Sequence, residues 1–360
     1  MAQVQAKTCT YRLVPPSPRF FKMRIVTHLK ACNNINKSVC PPPKGEGIRY
    51  CHYQGCGRVG SAEAVAENLK TIRYAAEAAA NNFKVHIITF SELFLQGYTL
   101  TMQDVQNLAE EVGGPSLAKV ASFAKEFRVA IVIPFAEKAT EDGVVKYYDS
   151  MALFSNEGVL MRTYRKHVLW GPEEKAKFSP GVEPFETSEV NGVAIGLANC
   201  YEAEFPELAR AYALQGAKLI MYPTAADVWE WVEFPKKDEN GRFVPGTGEK
   251  TPKPYPDVSK TCIPARAVDN IAFVAYCNSY GVETDMRGNP MMEFLGNSVV
   301  ADPHGQVVVR APHHMETLIV VDCIPSEFKS FHPRKSHYLE NLPHAVREEL
   351  HAVDKRLRTE

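Results

Sequence analysis

The chain has 360 residues, 45% apolar and 23% charged, with a net charge of −1, the balance of an ordinary globular protein. That balance gives no global field for nucleic acid or anionic membrane, and no apolar run approaches the length of a bilayer span. Nine cysteines, an odd number scattered along a long chain, are not a disulfide framework and fit a reducing compartment such as the cytoplasm.

Residues 1–46 carry eight lysines and arginines and no acid before Glu46. This reads as a disordered basic extension, and it also fits an organellar transit peptide. Cys40, Cys51, His52 and Cys56 have spacings found at zinc sites. However, Ile48 to Tyr53 reads as a strand that would turn Cys51 and His52 to opposite faces, so no metal site is expected there. Val65 to Ala80 has helical periodicity, with Val65, Leu69, Ile72, Ala75 and Ala76 on one side and Asn81-Asn82 as its stop. Val85 to Phe90 follows as a strand, which leaves Glu92 just beyond a strand end.

A helix over 116–127 and a strand over 129–135 come next. Ser150–Phe154 and Val159–Arg162 form a hairpin around Asn156-Glu157-Gly158, and Lys166 closes that second strand. An irregular run from Trp170 to Gly181 contains Glu173 and Glu174. The unit from Val193 to Ala225 is the clearest in the chain. An apolar strand (193–198) leads into a helix with Pro206 in its first turn and Gly216 at its end, and Leu219–Tyr222 is a second, parallel strand. Cys200 lies in the turn at the carboxyl end of the first strand, where open α/β sheets bind ligands. Free backbone N–H groups there can hold an oxyanion and favour a thiolate.

Residues 228–258, with Trp229, Trp231 and five prolines, break the α/β rhythm. A loop of that length reads as a packed lid over the site or as an inert surface insertion. Helix and strand return at 263–278, a hairpin follows at 297–309 around Pro303-His304-Gly305, and 318–322 is the last strand. His313 and His314 lie in a loop and suggest no ligand role. From Pro325 the chain is a charged arm with one short helix near 343–357.

Three strand ends thus carry Glu92, Lys166 and Cys200. With FSELFLQGY (90–98), YRKHVLWGPEEKAKFSPG (164–181), CYEAEFPELARAYALQGAKLIMYPTA (200–225) and IPARAVDNIAFVAYCN (263–278), the sequence resembles the carbon–nitrogen hydrolase (nitrilase-like) superfamily over roughly residues 47–323. The resemblance implies an α/β fold, a four-layer α-β-β-α sandwich, spanning 47–324 with 228–258 as an insertion and 325–360 as an arm. It implies Glu92 as general base, Lys166 as electrophilic stabiliser and Cys200 as nucleophile, with the Tyr201 N–H completing an oxyanion hole. Either Glu173 or Glu174 would assist, Glu174 being preferred. Tyr98, Tyr201 and Thr224 would line the substrate pocket, and no metal or organic cofactor is required. Asn199, His167, Ser91 and Asp269 depart from residues frequent in the family.

Tyr201 after the nucleophile and the EFPE and PTA segments look like the amidase branch. The implied reaction converts a small carboxamide to acid and ammonia through a Cys200 thioester. A nitrilase or an N-carbamoyl-amine hydrolase is the alternative within the class, and a non-catalytic protein keeping the fold is the alternative outside it. A homodimer or larger homo-oligomer is implied, with no nucleic-acid or membrane partner.

Overall fold

In this computed structural model the described residues are 47–227, 257–312 and 315–328, the strand backbones at 7–9, 24–28, 231–234 and 249–252, and Pro43, Gly45, Glu239, Leu339 and Pro343 singly. In chain order the elements are β1 (Lys7–Cys9), β2 (Arg24–His28), β3 (Ile48–Gln54), α1 (Ala62–Phe83), β4 (Ile87–Thr89), α2 (Met102–Leu108), α3 (Pro115–Phe127), β5 (Ala130–Glu141), β6 (Val144–Phe154), β7 (Leu160–Arg165) and α4 (Gly171–Lys177). Then follow β8 (Ser188–Val190), β9 (Val193–Leu197), α5 (Pro206–Leu214), β10 (Leu219–Thr224), β11 (Trp231–Phe234), β12 (Glu249–Pro252) and α6 (Cys262–Asn270). The last strands are β13 (Phe273–Asn278), β14 (Tyr280–Thr284), β15 (Pro290–Leu295), β16 (Val299–Ala301), β17 (Val307–Arg310) and β18 (Thr317–Cys323).

Eight strands form one sheet in the order β1-β2-β18-β3-β4-β5-β6-β7, and six form a second, β17-β16-β13-β10-β9-β8. The strand period of two sorts the side chains. Along β3, Ile48 and Tyr50 face the second sheet, while Cys51 and Tyr53 face α1 and α3. The core between the sheets joins Ile87, Val132, Met151, Ile319 and Val321 of the first to Leu219, Met221, Ala275 and Val300 of the second, and continues to α5 and α6 through Ala209, Tyr212, Ile263 and Ala267. The layers are therefore helix, sheet, sheet, helix, as the resemblance implies. The ladders β3–β4–β5 and β9–β10–β13 are parallel, so their carboxyl ends lie together within each sheet. No helix among the described residues is long and apolar enough to cross a membrane.

Several expectations need correction. The first helix runs through Asn81-Asn82 to Phe83; Lys84 ends it at φ 53° and donates its N–H to Ala80 O. The strand after it is shorter, Ile87–Thr89. The irregular run after Lys166 contains α4, opened by Pro172 in its first turn. The hairpin β14–β15 has no counterpart in the sequence reading. The basic N-terminal stretch contributes backbone strands: β2 pairs parallel with β18, and β1 pairs with β2. Cys51 and His52 do lie in β3, both fully buried and on opposite faces, as its alternation implies. Cys40, Trp229, His313, His314, most of 228–258 and the helix near 343–357 lie outside the described residues.

Candidate active site

Lys166 follows directly on β7. Its backbone N–H donates to Asp149 O on β6 at 2.8 Å, and its carbonyl accepts from Gly181 N at 2.8 Å, so the main chain is fixed on both sides. The side chain is fully buried. Its Nζ donates to Glu92 Oε1 at 2.6 Å and to both oxygens of Glu174, at 3.0 and 2.8 Å, and lies 3.7 Å from Asp149 Oδ2. Burial disfavours the ammonium, yet the Glu92 and Glu174 carboxylates outweigh it and hold Lys166 protonated well above the usual lysine range.

Glu92 sits beyond β4 in a buried turn, 1% exposed. Its second oxygen accepts from Ala225 N–H at 3.0 Å, just after β10. A carboxylate of the first sheet is thereby tied to a strand end of the second. Glu174 is aimed by α4: besides Lys166 it accepts from Trp170 N–H at 2.7 Å and from the Tyr98 hydroxyl at 2.8 Å. Glu173 is exposed, so of the two glutamates it is Glu174 that meets Lys166. Burial raises the Glu174 carboxyl pKa, and the neighbouring ammonium opposes that shift.

Cys200 opens a 3-10 turn, Cys200–Glu204, between β9 and α5. Its φ is 48°, the left-handed region that side chains rarely adopt. The charges of Glu92, Lys166 and Glu174 all act on its sulfur. The expected thiolate does not prevail. Burial, helped by Glu92, pushes the thiol well above its ordinary value, and the Lys166 charge only partly counters this. The resting group is a thiol and needs a base to remove its proton.

One residue that the sequence reading missed joins the two sides of the site. Glu202, fully buried, accepts from His167 N–H (2.7 Å) and Val168 N–H (3.1 Å) after β7. It also accepts from Asn199 N–H (2.6 Å) and from the Tyr164 hydroxyl (2.6 Å). A single carboxylate thus bolts the Lys166 segment to the Cys200 turn. Arg266 of α6 holds the far end of that turn through Ala203 O and Glu204 O. Asp149 was also missed; it is fully buried and accepts from Asn199 Nδ2 at 2.9 Å. Their one legible signal was a lone acid at a strand end or turn, which more often is solvated.

Of the expected pocket residues, Tyr98 reaches Glu174, and its backbone is held by Glu283 of β14, which accepts from Tyr98 N–H (2.8 Å) and Thr99 N–H (2.9 Å). Tyr201 is half-buried with its ring edge-on to Phe205 at 5.1 Å. Thr224 is buried at the end of β10, its hydroxyl donating to Tyr222 O at 3.0 Å. Glu92, Asp149 and Glu174 each bring a carboxylate oxygen within 4.8 Å of the others, a spacing that could hold a metal ion; the cation among them is the Lys166 ammonium.

A sandwich whose strand ends gather a buried carboxylate–ammonium cluster beside a cysteine on a strained turn defines a thiol hydrolase. The profile of the family described as carbon-nitrogen hydrolase matches residues 51–332, and the chain belongs to that family. It is 32% identical over 247 residues to a Pseudomonas protegens protein called hydrolase in pqqF 5′region, which covers 69% of this chain and 74% of that one. It is 30% identical to the N-carbamoylputrescine amidase of Solanum tuberosum, covering 74% and 82%. Among solved structures, a Cys→Ala variant of the Nesterenkonia amidase from the nitrilase superfamily superposes with a TM-score of 0.65 at 26% identity, covering 86% of this chain and 99% of that one. Another structure of that amidase carries the acetamide moiety of fluoroacetamide covalently on its active-site cysteine.

Proposed function

We propose that the protein is a cysteine amidase that hydrolyses a small linear carboxamide to its acid and ammonia. The observation that carries this is the contact of Lys166 Nζ with Glu92 (2.6 Å) and Glu174 (2.8 Å) beside the Cys200 turn. An amide carbon is a weak electrophile, so the reaction needs a strong nucleophile and a held oxyanion. Glu92 takes the Cys200 thiol proton as the sulfur attacks the carbonyl carbon. The carbonyl oxygen becomes an oxyanion facing the Lys166 ammonium and the Tyr201 N–H. As the C–N bond breaks, the proton passes from Glu92 to the nitrogen and ammonia leaves. The thioester on Cys200 is then attacked by a water that Glu92 or Glu174 deprotonates. The proton returns to the sulfur, and the acid departs. Tyr98, Tyr201 and Thr224 shape the pocket.

An N-carbamoyl amine is the second reading, favoured by the likeness to the Solanum tuberosum enzyme over most of its length. Ammonia release from acetamide, an N-carbamoyl amine and a nitrile, measured side by side, separates the readings. Turnover of acetamide should lead, and Cys200→Ala should abolish it. Faster turnover of either rival compound rejects the carboxamide assignment.

The core within 47–323 supports a hydrolase domain over 47–324, flanked by residues 1–46 and 325–360 and carrying the 228–258 insertion. Free Cys51, Cys56, Cys200, Cys262, Cys277 and Cys323 support a reducing, cytoplasmic setting. The exposed Val282, Met286, Met291 and Leu295 of the β14–β15 hairpin support self-association as a homodimer, which light scattering would measure.

A further inference from the structure

We propose that Asp149 is a positioning residue of the amidase site: fixed by Asn199, it stands as a neutral acid that donates a hydrogen bond to Glu92. In that role it sets the pH range over which Glu92 can take the thiol proton. The inference rests on the reading of Glu92 as the base.

Glu92, Asp149 and Glu174 place carboxylate oxygens within 4.8 Å of one another around a single ammonium, all of them buried. Three like charges that close cannot all be compensated by one cation. Lys166 Nζ lies 2.6 Å from Glu92 and 2.8 Å from Glu174 but 3.7 Å from Asp149, so Asp149 is the least compensated. The hydrogen bonds agree. Both oxygens of Glu92 receive a donor, from Lys166 and Ala225, and both oxygens of Glu174 do, from Lys166, Tyr98 and Trp170. Asp149 Oδ1 receives Asn199 Nδ2, while Oδ2 receives none, as befits an oxygen that carries its own proton.

The groups facing Asp149 are Glu92 from the turn after β4, Lys166 at the end of β7, and Glu174 and Lys177 from α4. Their balance favours the acid: burial first and the Glu92 charge second push the Asp149 carboxyl well above the ordinary carboxylate range, against the pull of Lys166. The Asp149 carboxyl oxygen lies within 4.8 Å of a Glu92 oxygen, the acceptor to which we assign its proton. A donor aimed at a carboxylate favours its ionised form, the form in which Glu92 can take the thiol proton. Asn199, which precedes Cys200, fixes this acid from the nucleophile's own turn.

The test is the kcat/KM–pH profile for acetamide of the full chain and of Asp149→Asn, Asp149→Ala and Glu92→Gln. Asparagine at 149 keeps both bonds, since its carbonyl accepts from Asn199 and its amide donates to Glu92. It should retain kcat/KM within about threefold, with the acid limb in place. Asp149→Ala removes the donor; its acid limb should move up by about one pH unit and kcat should fall about tenfold. A loss of about tenfold or more in Asp149→Asn at neutral pH would mean that the ionised form is needed, and would overturn the proposal. A wild-type profile in Asp149→Ala would overturn it as well. If the alanine variant does not fold, the asparagine variant decides alone. Turnover surviving in Glu92→Gln would instead refute Glu92 as the base, a separate and recognisable failure.

Discussion

A cysteine held at φ 48° is out of its preferred backbone range, and Leu93, next to Glu92, is held at φ 50°. Such conformations persist only where the surroundings over-determine them. At Cys200 the constraint is Glu202, whose four donors come from Asn199, His167, Val168 and Tyr164. Burial raises the Glu202 carboxyl pKa, and the hydrogen bonds from Tyr164, Asn199 and His167 pull it back. Glu202→Ala leaves these donors unsatisfied at about 1–3 kcal/mol each before relaxation. Its melting temperature should fall by several degrees, and kcat should fall more than KM rises, because the sulfur loses its aim while the pocket walls stay. Glu202→Gln keeps an acceptor for His167 and Val168 and should recover part of both losses. An alanine variant with unchanged kcat would show that the turn is held by Arg266 alone.

At the scale of elements, the least legible piece has the clearest consequence. The hairpin β14–β15 lacks strong alternation, with exposed Val282, Met291 and Leu295, yet it carries Glu283, which is 2% exposed and receives Tyr98 N–H, Thr99 N–H and the Thr99 hydroxyl. It thereby fixes the segment from which Tyr98 reaches Glu174. Glu283→Ala should raise KM for acetamide severalfold and change kcat less, since Glu174 keeps Lys166 and Trp170. Equal losses in both constants would place Tyr98 in the chemical step. The same contrast explains what could be read from the chain. The β9–α5–β10 unit was legible because Pro206, Gly216 and an unbroken apolar run each mark a boundary. Glu92, Lys166 and Cys200 were legible as strand-end residues within recognisable motifs. Helix α4 was not, because seven residues opening with Gly171-Pro172 show no period. The β5–β6 hairpin was seen only at its buried ends, since its outer half, from Lys138 to Val145, loses the apolar pattern to solvent. Asp149 and Glu202 could not be placed, because nothing local says that a lone acid is buried on another element's amides.

Across the whole molecule, the inner face of β3 fixes how the sandwich responds to acid. His52 is fully buried there, with Nδ1 3.2 Å from the Tyr50 hydroxyl and Nε2 without a hydrogen-bond partner. Burial lowers its pKa from 6.5 to about 3. The folded pKa is the depressed one, so above 6.5 both states are neutral and the contribution is intact; as pH falls from 6.5 toward 3 the unfolded chain takes up a proton that the folded chain refuses. Stability should drop by about 1.4 kcal/mol per pH unit in that window from this residue alone. The buried carboxyls Asp149, Glu174, Glu202 and Glu283 act oppositely. Their raised folded values give stability that is present at low pH and lost as pH rises, so the total profile mixes both signs. The difference between wild type and His52→Gln cancels the carboxyl part. Urea unfolding of both proteins, from neutral pH down through the window, should show the wild-type advantage shrinking by about 1.4 kcal/mol per unit once pH is below 6.5. A difference that stays constant with pH would mean that His52 takes up its proton in the folded state as readily as in the unfolded chain.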